Sequence, residues 1–352
     1  MRQHERPESK HKEQAVLGGL EFLYRTACDA GSFESYGYDL LFCFHCISST
    51  SQSVKLRKTA RRMGRERARH WRREHKLVPP DVNAEEVFQL VFGSLAADCL
   101  GVCDPSLKPQ LRRAARCFTA RDYFWFEPTL ESPPENVPEY CACGADNPRG
   151  RLRCRGCRKG LKMLGRYGVW IDALIASYVG ERYGVRLGAS YRDVITWLPF
   201  MRPYRGYDGG KNHEFYWTAY AVTHVVYTLN GYSAYSLFPR WLPDEFAYLC
   251  GHLKELIALK DPETAGEFLD NLKSFGLNDD DALISSGTEF VLSAQNADGS
   301  WGDVKSEDIY ERYHSTYTAL NGIRDYAPRP QGLCFPKLLP LLKRCAGSKP
   351  LS

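Results

Sequence analysis

Apolar residues recur at helical spacing through most of the chain. In residues 14–28, Val16, Leu20, Leu23, Tyr24 and Cys28 fall on one face, and a second apolar segment at 38–47 follows Gly31 and Gly37. Next comes a stretch with Leu56, Ala60, Met63 and Trp71 on one side and Arg57, Arg61, Arg65, Arg69 and Arg73 stepping by four along another, the pattern of an amphipathic helix. Helices are predicted again at 84–103 and 109–121, before a Pro-rich break at 128–138. Beyond residue 164 the helical pattern resumes at 169–183, 191–200, 213–229, 243–259, 262–275, 279–295 and 307–323, with a Tyr/Gly-rich loop at 203–210. No strand alternation appears outside 128–164. The expected fold is therefore all-α: a tail at 1–14, an N-terminal helical region at 15–127, a linker with a small insert at 128–164, C-terminal helical repeats at 165–325 and a second tail at 326–352.

Composition narrows the function classes. With 352 residues, 43% hydrophobic and 25% charged, the chain can bury a real core, and disorder does not describe it. No apolar run approaches a membrane span, and the first fourteen residues are polar where a signal peptide would need an apolar core. Thirteen cysteines without such a signal point to a reducing, cytoplasmic setting with thiols free or bound to metal. The net charge of +5 is unevenly placed, because eleven Lys/Arg lie between Lys55 and Lys76 against Glu66 and Glu74, leaving the remainder acidic. That helix reads as a solvated face, with binding of nucleic acid or an acidic partner as the alternative.

The most specific metal signal is Cys141-x-Cys143, then Cys154-x-x-Cys157, with Gly144, Pro148, Gly150 and Gly156 in the turns. Two thiolate pairs brought together by a short hairpin satisfy one tetrahedral Zn²⁺, which substitutes for a hydrophobic core in so small a piece. Four thiolates leave no open position. This site, a Zn(Cys)4 ribbon, is expected to be structural.

The loop from Gln295 through Asp298, Gly299 and Trp301 to Gly302 resembles the QW-type motif of the terpenoid cyclase and protein prenyltransferase superfamily. The run Tyr313-His314-Ser315-Thr316-Tyr317, ending in Leu320-Asn321-Gly322-Ile323, is similar to the last inner helix of the prenyltransferase β subunits. The resemblance covers about thirty residues. It implies an α/α toroid, with inner helices around a central cavity, and a zinc-ligand role for His314. The chemistry of the family is not implied. No Asp-x-Cys pair opens the helix at Pro262, Asn278 leads the run Asp279-Asp280-Asp281 where the Asp-x-Asp-Asp acid would stand, and Leu283 replaces the last aspartate of an Asp-Asp-x-x-Asp motif.

An internal repeat supplies further candidates. Placing Leu229-Asn230-Gly231 on Leu320-Asn321-Gly322 superimposes two aromatic helices and sets His224 and His314 one residue apart in depth. Matching Gly276 to Gly231 puts Leu269 at the position of His224, with Glu267 and Asp270 flanking that level. On three inner helices of a toroid, His224, Glu267 or Asp270, and His314 make a two-His, one-carboxylate set for a second divalent metal, Zn²⁺ or Fe²⁺. The expected function is a metal-dependent enzyme that activates water, oxygen or substrate for a small, partly apolar substrate. The cavity is lined by Tyr216, Tyr220, Tyr227, Tyr313 and Tyr317, with Tyr227 and Tyr317 at the chemistry and His213 holding substrate at the rim. The competing class is a non-catalytic zinc-ribbon protein that binds nucleic acid or an acidic partner through the basic helix.

Overall fold

The computed structural model describes residues 7–138, Cys141, Cys143, Ala145, Asn147 and 151–347. Its helices are α1 (Pro7–Cys28), α2 (Ala30–Thr50), α3 (Val54–Glu74), α4 (Ala84–Cys99), α5 (Leu107–Ala115), α6 (Ala120–Phe124), α7 (Arg166–Tyr183), α8 (Tyr191–Ile195), α9 (Leu198–Met201), α10 (Phe215–Asn230), α11 (Pro243–Ala258), α12 (Pro262–Ser274), α13 (Ala282–Ser293), α14 (Ile309–Ile323) and α15 (Leu339–Gly347). Two short strands, β1 (Val137–Pro138) and β2 (Met163–Leu164), pair antiparallel at the root of the cysteine-rich insert. The chain is predominantly helical, as the apolar spacing predicts.

Helix ends follow local chemistry. Asp29 and Asn83 cap α2 and α4, Asp261 caps α12 with Pro262 in its first turn, and Gly231 ends α10 in the left-handed conformation. Gly37, read as punctuation, lies inside α2, and the break falls instead at the capping residue Asp29. The helix expected at 191–200 is divided into α8 and α9, and that at 109–121 into α5 and α6.

Six long or central helices pack in sequence: α2 on α4, α4 on α7, α7 on α10, α10 on α12, α12 on α14, and α14 back on α2. The others lie between or behind these, with α1 against α14 and α2, α3 against α2 and α4, and α13 against α12 and α14. The tightest pair, α12 and α14, approaches through two glycines. A Cβ on Gly266 would stand 2.6 Å from Thr318 O, and one on Gly322 would stand 2.6 Å from Gly266 O. Gly322 therefore serves helix contact, unlike its repeat partner Gly231, which ends a helix.

The expected tails take part in this structure. α1 begins at Pro7, and Lys12 pairs with Asp279 at 2.7 Å and Asp325 at 2.6 Å. The segment after residue 325 is woven in: Ala327 N donates to Thr50 O, Cys334 N donates to Leu229 O, and Leu338, Leu342 and Cys345 are buried. Arg324, itself buried, donates to Thr50 Oγ1, Ser51 Oγ and Asn321 Oδ1, tying the end of α2 to the end of α14. Residues 1–6 and 348–352 of the expected tails lie outside the described residues.

The loop between α13 and α14 closes the same seam. Gln295 Nε2 donates to Ala15 O and Gly299 O, and fully buried Trp301 donates from Nε1 to Val291 O. Trp301 packs where Gly19 leaves room, since a Cβ there would meet its ring at 2.8 Å. Among the described residues no helix is long and apolar enough to cross a membrane.

Candidate active site

Two places carry chemistry. The first is the insert, where the four cysteine sulfurs lie within 4.8 Å of one another; Cys141 Sγ is 3.5 Å from Cys157 Sγ and Cys143 Sγ is 3.4 Å from Cys154 Sγ. Sulfurs bound to one tetrahedral Zn²⁺ at about 2.3 Å stand roughly 3.8 Å apart, so the donor set fits the ion. The turn after Cys154 is held by Arg158 N donating to Cys154 O and Cys154 N donating to Lys159 O, with Arg158 in the left-handed region. Amide N–H groups of Cys157 and Gly156, with the Asn147 amide, hold the Cys154 thiol down to about 6, which favours the thiolate a metal needs. Gly144, Pro148 and Gly150 of this motif lie outside the described residues.

The second place is a cavity of about 350 Å³ among the packed helices. Its wall is contributed by α2 (Tyr38, Asp39, Phe42), α4 (Glu85, Phe88, Phe92), α6 (Asp122, Tyr123), α7 (Asp172, Ile175, Ala176), α10 (His224, Tyr227), α12 (Glu267, Asp270) and α14 (Tyr310, His314, Tyr317, Thr318), with Trp125 and Tyr232 from the adjoining turns. Glu85, Asp122 and Asp172 are exposed and mark the mouth, whereas Glu267 and Asp270 are each 1% exposed. His224, Glu267, Asp270, His314, Tyr227 and Tyr317 thus share one cavity.

They do not share a ligand cluster. Among the described residues, the four cysteines form the one group of three or more His, Cys, Asp or Glu whose ligand atoms lie within 4.8 Å of one another. Each cavity group has a separate partner instead. Ser233 Oγ donates to Asp270 Oδ1 at 2.6 Å, and Arg329 lies 3.5 Å from the same oxygen. Thr223 Oγ1 donates to Glu267 Oε2 at 2.6 Å. His224 Nδ1–H donates to Tyr220 O at 2.8 Å, which makes Nε2 the lone-pair nitrogen of the neutral ring. His314 Nδ1–H donates to Glu263 Oε1 at 3.0 Å, and Glu263 also accepts from Ser315 Oγ and Tyr220 OH.

These partners set the protonation states. Burial disfavours charge on every group, and it pushes Glu267 up to about 8 against the opposing pull of His314 and Thr223. The same burial, with the charge of His314, pushes His224 down to about 4. His314 goes the other way, because Glu263 outweighs burial and lifts it to about 9, while Glu263 is held below the ordinary carboxylate range by its three donors. Near neutral pH the wall holds a carboxylic acid, a neutral imidazole and an imidazolium. Tyr310 stacks on the last, 5.2 Å between ring centres and 18° between planes.

Other candidates fall elsewhere. His213 is exposed in the turn before α10 and does not line the cavity. Tyr216 is exposed, Tyr220 faces a separate surface pocket with Glu263, and Tyr313 is buried behind the wall, donating to Asp39 Oδ2 at 2.9 Å. The N-terminal half of the wall, α2 to α7, was not anticipated from sequence. Neither was Glu263, although it stands one helical turn before Glu267 and so on the same side of α12.

On α3, Arg72 is buried and paired with Asp98 at 2.6 Å, Arg57 donates to Ser51 O and Gln52 O, and Arg67 lies over Phe33. Lys58, Arg61, Arg62, Arg69 and Arg73 are exposed. No protein family, curated protein or solved structure matches this chain.

Proposed function

We propose that this chain is an enzyme of the α/α-toroid type that performs proton transfer on a small, partly apolar substrate held in the helical cavity. What supports the reading is the convergence, on one enclosed wall, of three titratable groups whose surroundings drive them apart: Glu267, His224 and His314. Glu267, neutral at pH 7, supplies the proton from the oxygen that Thr223 does not bond. His224 Nε2 is the base. His314, kept cationic by Glu263, stabilises negative charge developing on the substrate, and the aromatic wall excludes water so that each interaction is strengthened.

A second Zn²⁺ or Fe²⁺ on His224, Glu267 and His314 would require Glu267 to ionise against its burial, and Asp270 is already engaged by Ser233 and Arg329. We therefore assign the cavity acid–base chemistry in place of metal activation of water or oxygen. The ribbon thiolates would hold one Zn²⁺ as a cross-link of the insert. The unpaired thiols of the described chain suit a reducing compartment such as the cytoplasm.

The test is turnover in deuterated buffer across a panel of small substrates. Wild-type protein should exchange or convert a member of the panel, and Glu267→Gln should lose that activity while keeping its helical content and melting temperature. Activity unchanged in Glu267→Gln would overturn the assignment. The exposed cations of α3 favour a second reading, polyanion binding. Tight, sequence- or structure-selective RNA or DNA binding at physiological salt would establish it.

A further inference from the structure

The cavity carries more information than its three titrating groups. Six of its lining side chains are carboxylates and none is Lys or Arg, and its one cation, the His314 imidazolium, is already paired with Glu263 at 3.0 Å. Three of the six, Glu85, Asp122 and Asp172, stand at the exposed mouth on three different helices, and the other three lie deeper. An entrance of one sign with low-dielectric walls focuses its field and concentrates ligands of the opposite sign. Deeper in, Glu267 is 1% exposed, and a single hydroxyl, Thr223, bonds one of its oxygens.

A small hard cation is a poor match for this arrangement. Ca²⁺ and Mg²⁺ need six or more oxygens drawn around one point, yet among the described residues no three of these carboxylates bring ligand atoms within 4.8 Å of one another. The charges are dispersed, and the surface between them is aromatic: ten of the lining residues are Phe, Tyr or Trp. Ring faces attract a soft cation and bury an apolar body at once. The volume, about 350 Å³, is at the small end of organic-ligand pockets.

We propose that the cavity takes an organic ammonium, a cationic amine with an apolar body, drawn in by Glu85, Asp122 and Asp172 and enclosed by the aromatic wall. This substrate class rests on the cavity being the reaction site, and it adds a charge requirement which proton transfer alone does not impose.

The experiment compares three probes of nearly equal shape by calorimetry on the full chain: phenethylamine, phenethyl alcohol and phenylacetate. Phenethylamine should bind roughly ten-fold or more tightly than the alcohol, phenylacetate should not bind, and the amine affinity should fall as salt is raised. Glu85→Gln, an exposed change at the mouth, should weaken the amine several-fold and flatten its salt dependence without shifting the melting temperature. Phenethylamine should also move the imidazole NMR resonances of His224 and His314. Equal or better binding of the alcohol or the acid, no saturable amine binding at millimolar concentration, or amine binding that leaves both imidazoles unmoved would each overturn the proposal. The two readings fail separately. Preference for the alcohol with Glu267 still a neutral acid removes the amine and leaves the proton-transfer site standing, whereas amine binding with Glu267 titrating as an ordinary carboxylate does the reverse.

Discussion

Glu267 and His224 are driven in opposite directions by one cause, since burial disfavours the charged form of each. In the proposed reaction the proton donor is thus loaded and the base is empty over the same pH range. Activity should hold between about 4 and about 8 and fall above that as Glu267 ionises, read from the pH profile of kcat/KM. His314 is the exception because Glu263 sits beside it. Removing one partner of that half-buried pair strands the other, so His314→Gln should cost about 1–3 kcal/mol in urea unfolding, and the double change with Glu263→Gln should recover much of the loss. If His314→Gln unfolds no more readily than wild type, the ion pair contributes nothing to the fold.

At the scale of elements, the contact of α12 with α14 is the tightest in the ring, and glycine makes it so. Gly266→Ala would force its Cβ onto the backbone of Thr318 and Ala319 and should destabilise by about 1–3 kcal/mol. Gly251→Ala, on the exposed side of α11 with open space around it, should stabilise by up to about 1 kcal/mol, because helix propensity acts there alone. The opposite sign for either variant in denaturant unfolding would contradict the packing described. In the insert, Cys154→Ser should release one zinc equivalent and unfold the ribbon locally, seen by elemental analysis and hydrogen exchange, with the helices intact. Full zinc content in Cys154→Ser, Cys157→Ser would refute the site. Most helices were legible in the sequence, since their apolar stripes and capping residues are local signals. That His224, Glu267 and His314 line one cavity was legible too, the histidines through the Leu-Asn-Gly repeat and Glu267 through the match of Gly276 to Gly231. What these side chains do was not, because the partners Tyr220, Thr223, Glu263 and Ser233 are chosen by rotamers and neighbouring helices. The contribution of α2, α4, α6 and α7 to the wall was hidden for a related reason: a tyrosine or phenylalanine facing a cavity has the same spacing as one facing the core.

In the whole molecule the titrating groups line a cavity to which α2, α4, α7, α10, α12 and α14 all contribute, so pH should act on global stability. Glu267 and His314 have folded values raised above their ordinary 4.5 and 6.5, so the folded state holds more protons, and the stability they lend below those values is lost as pH rises toward about 8 and about 9. His224, lowered from 6.5 to about 4, has the opposite sign, and its contribution is lost as pH falls through that window. The melting temperature should therefore peak near pH 5–6.5 and drop by several degrees toward pH 9, and a flat profile across that range would contradict the assigned shifts. The central claim, that the cavity is a proton-transfer site with divided protonation states, is tested most directly by imidazole ¹⁵N NMR on uniformly labelled protein. The predicted result at pH 7.5 is a doubly protonated His314 and a neutral His224 with its proton on Nδ1, neither ring showing metal coordination. Two neutral rings titrating together near 6.5, or nitrogen shifts of metal-bound imidazole on both, would contradict it.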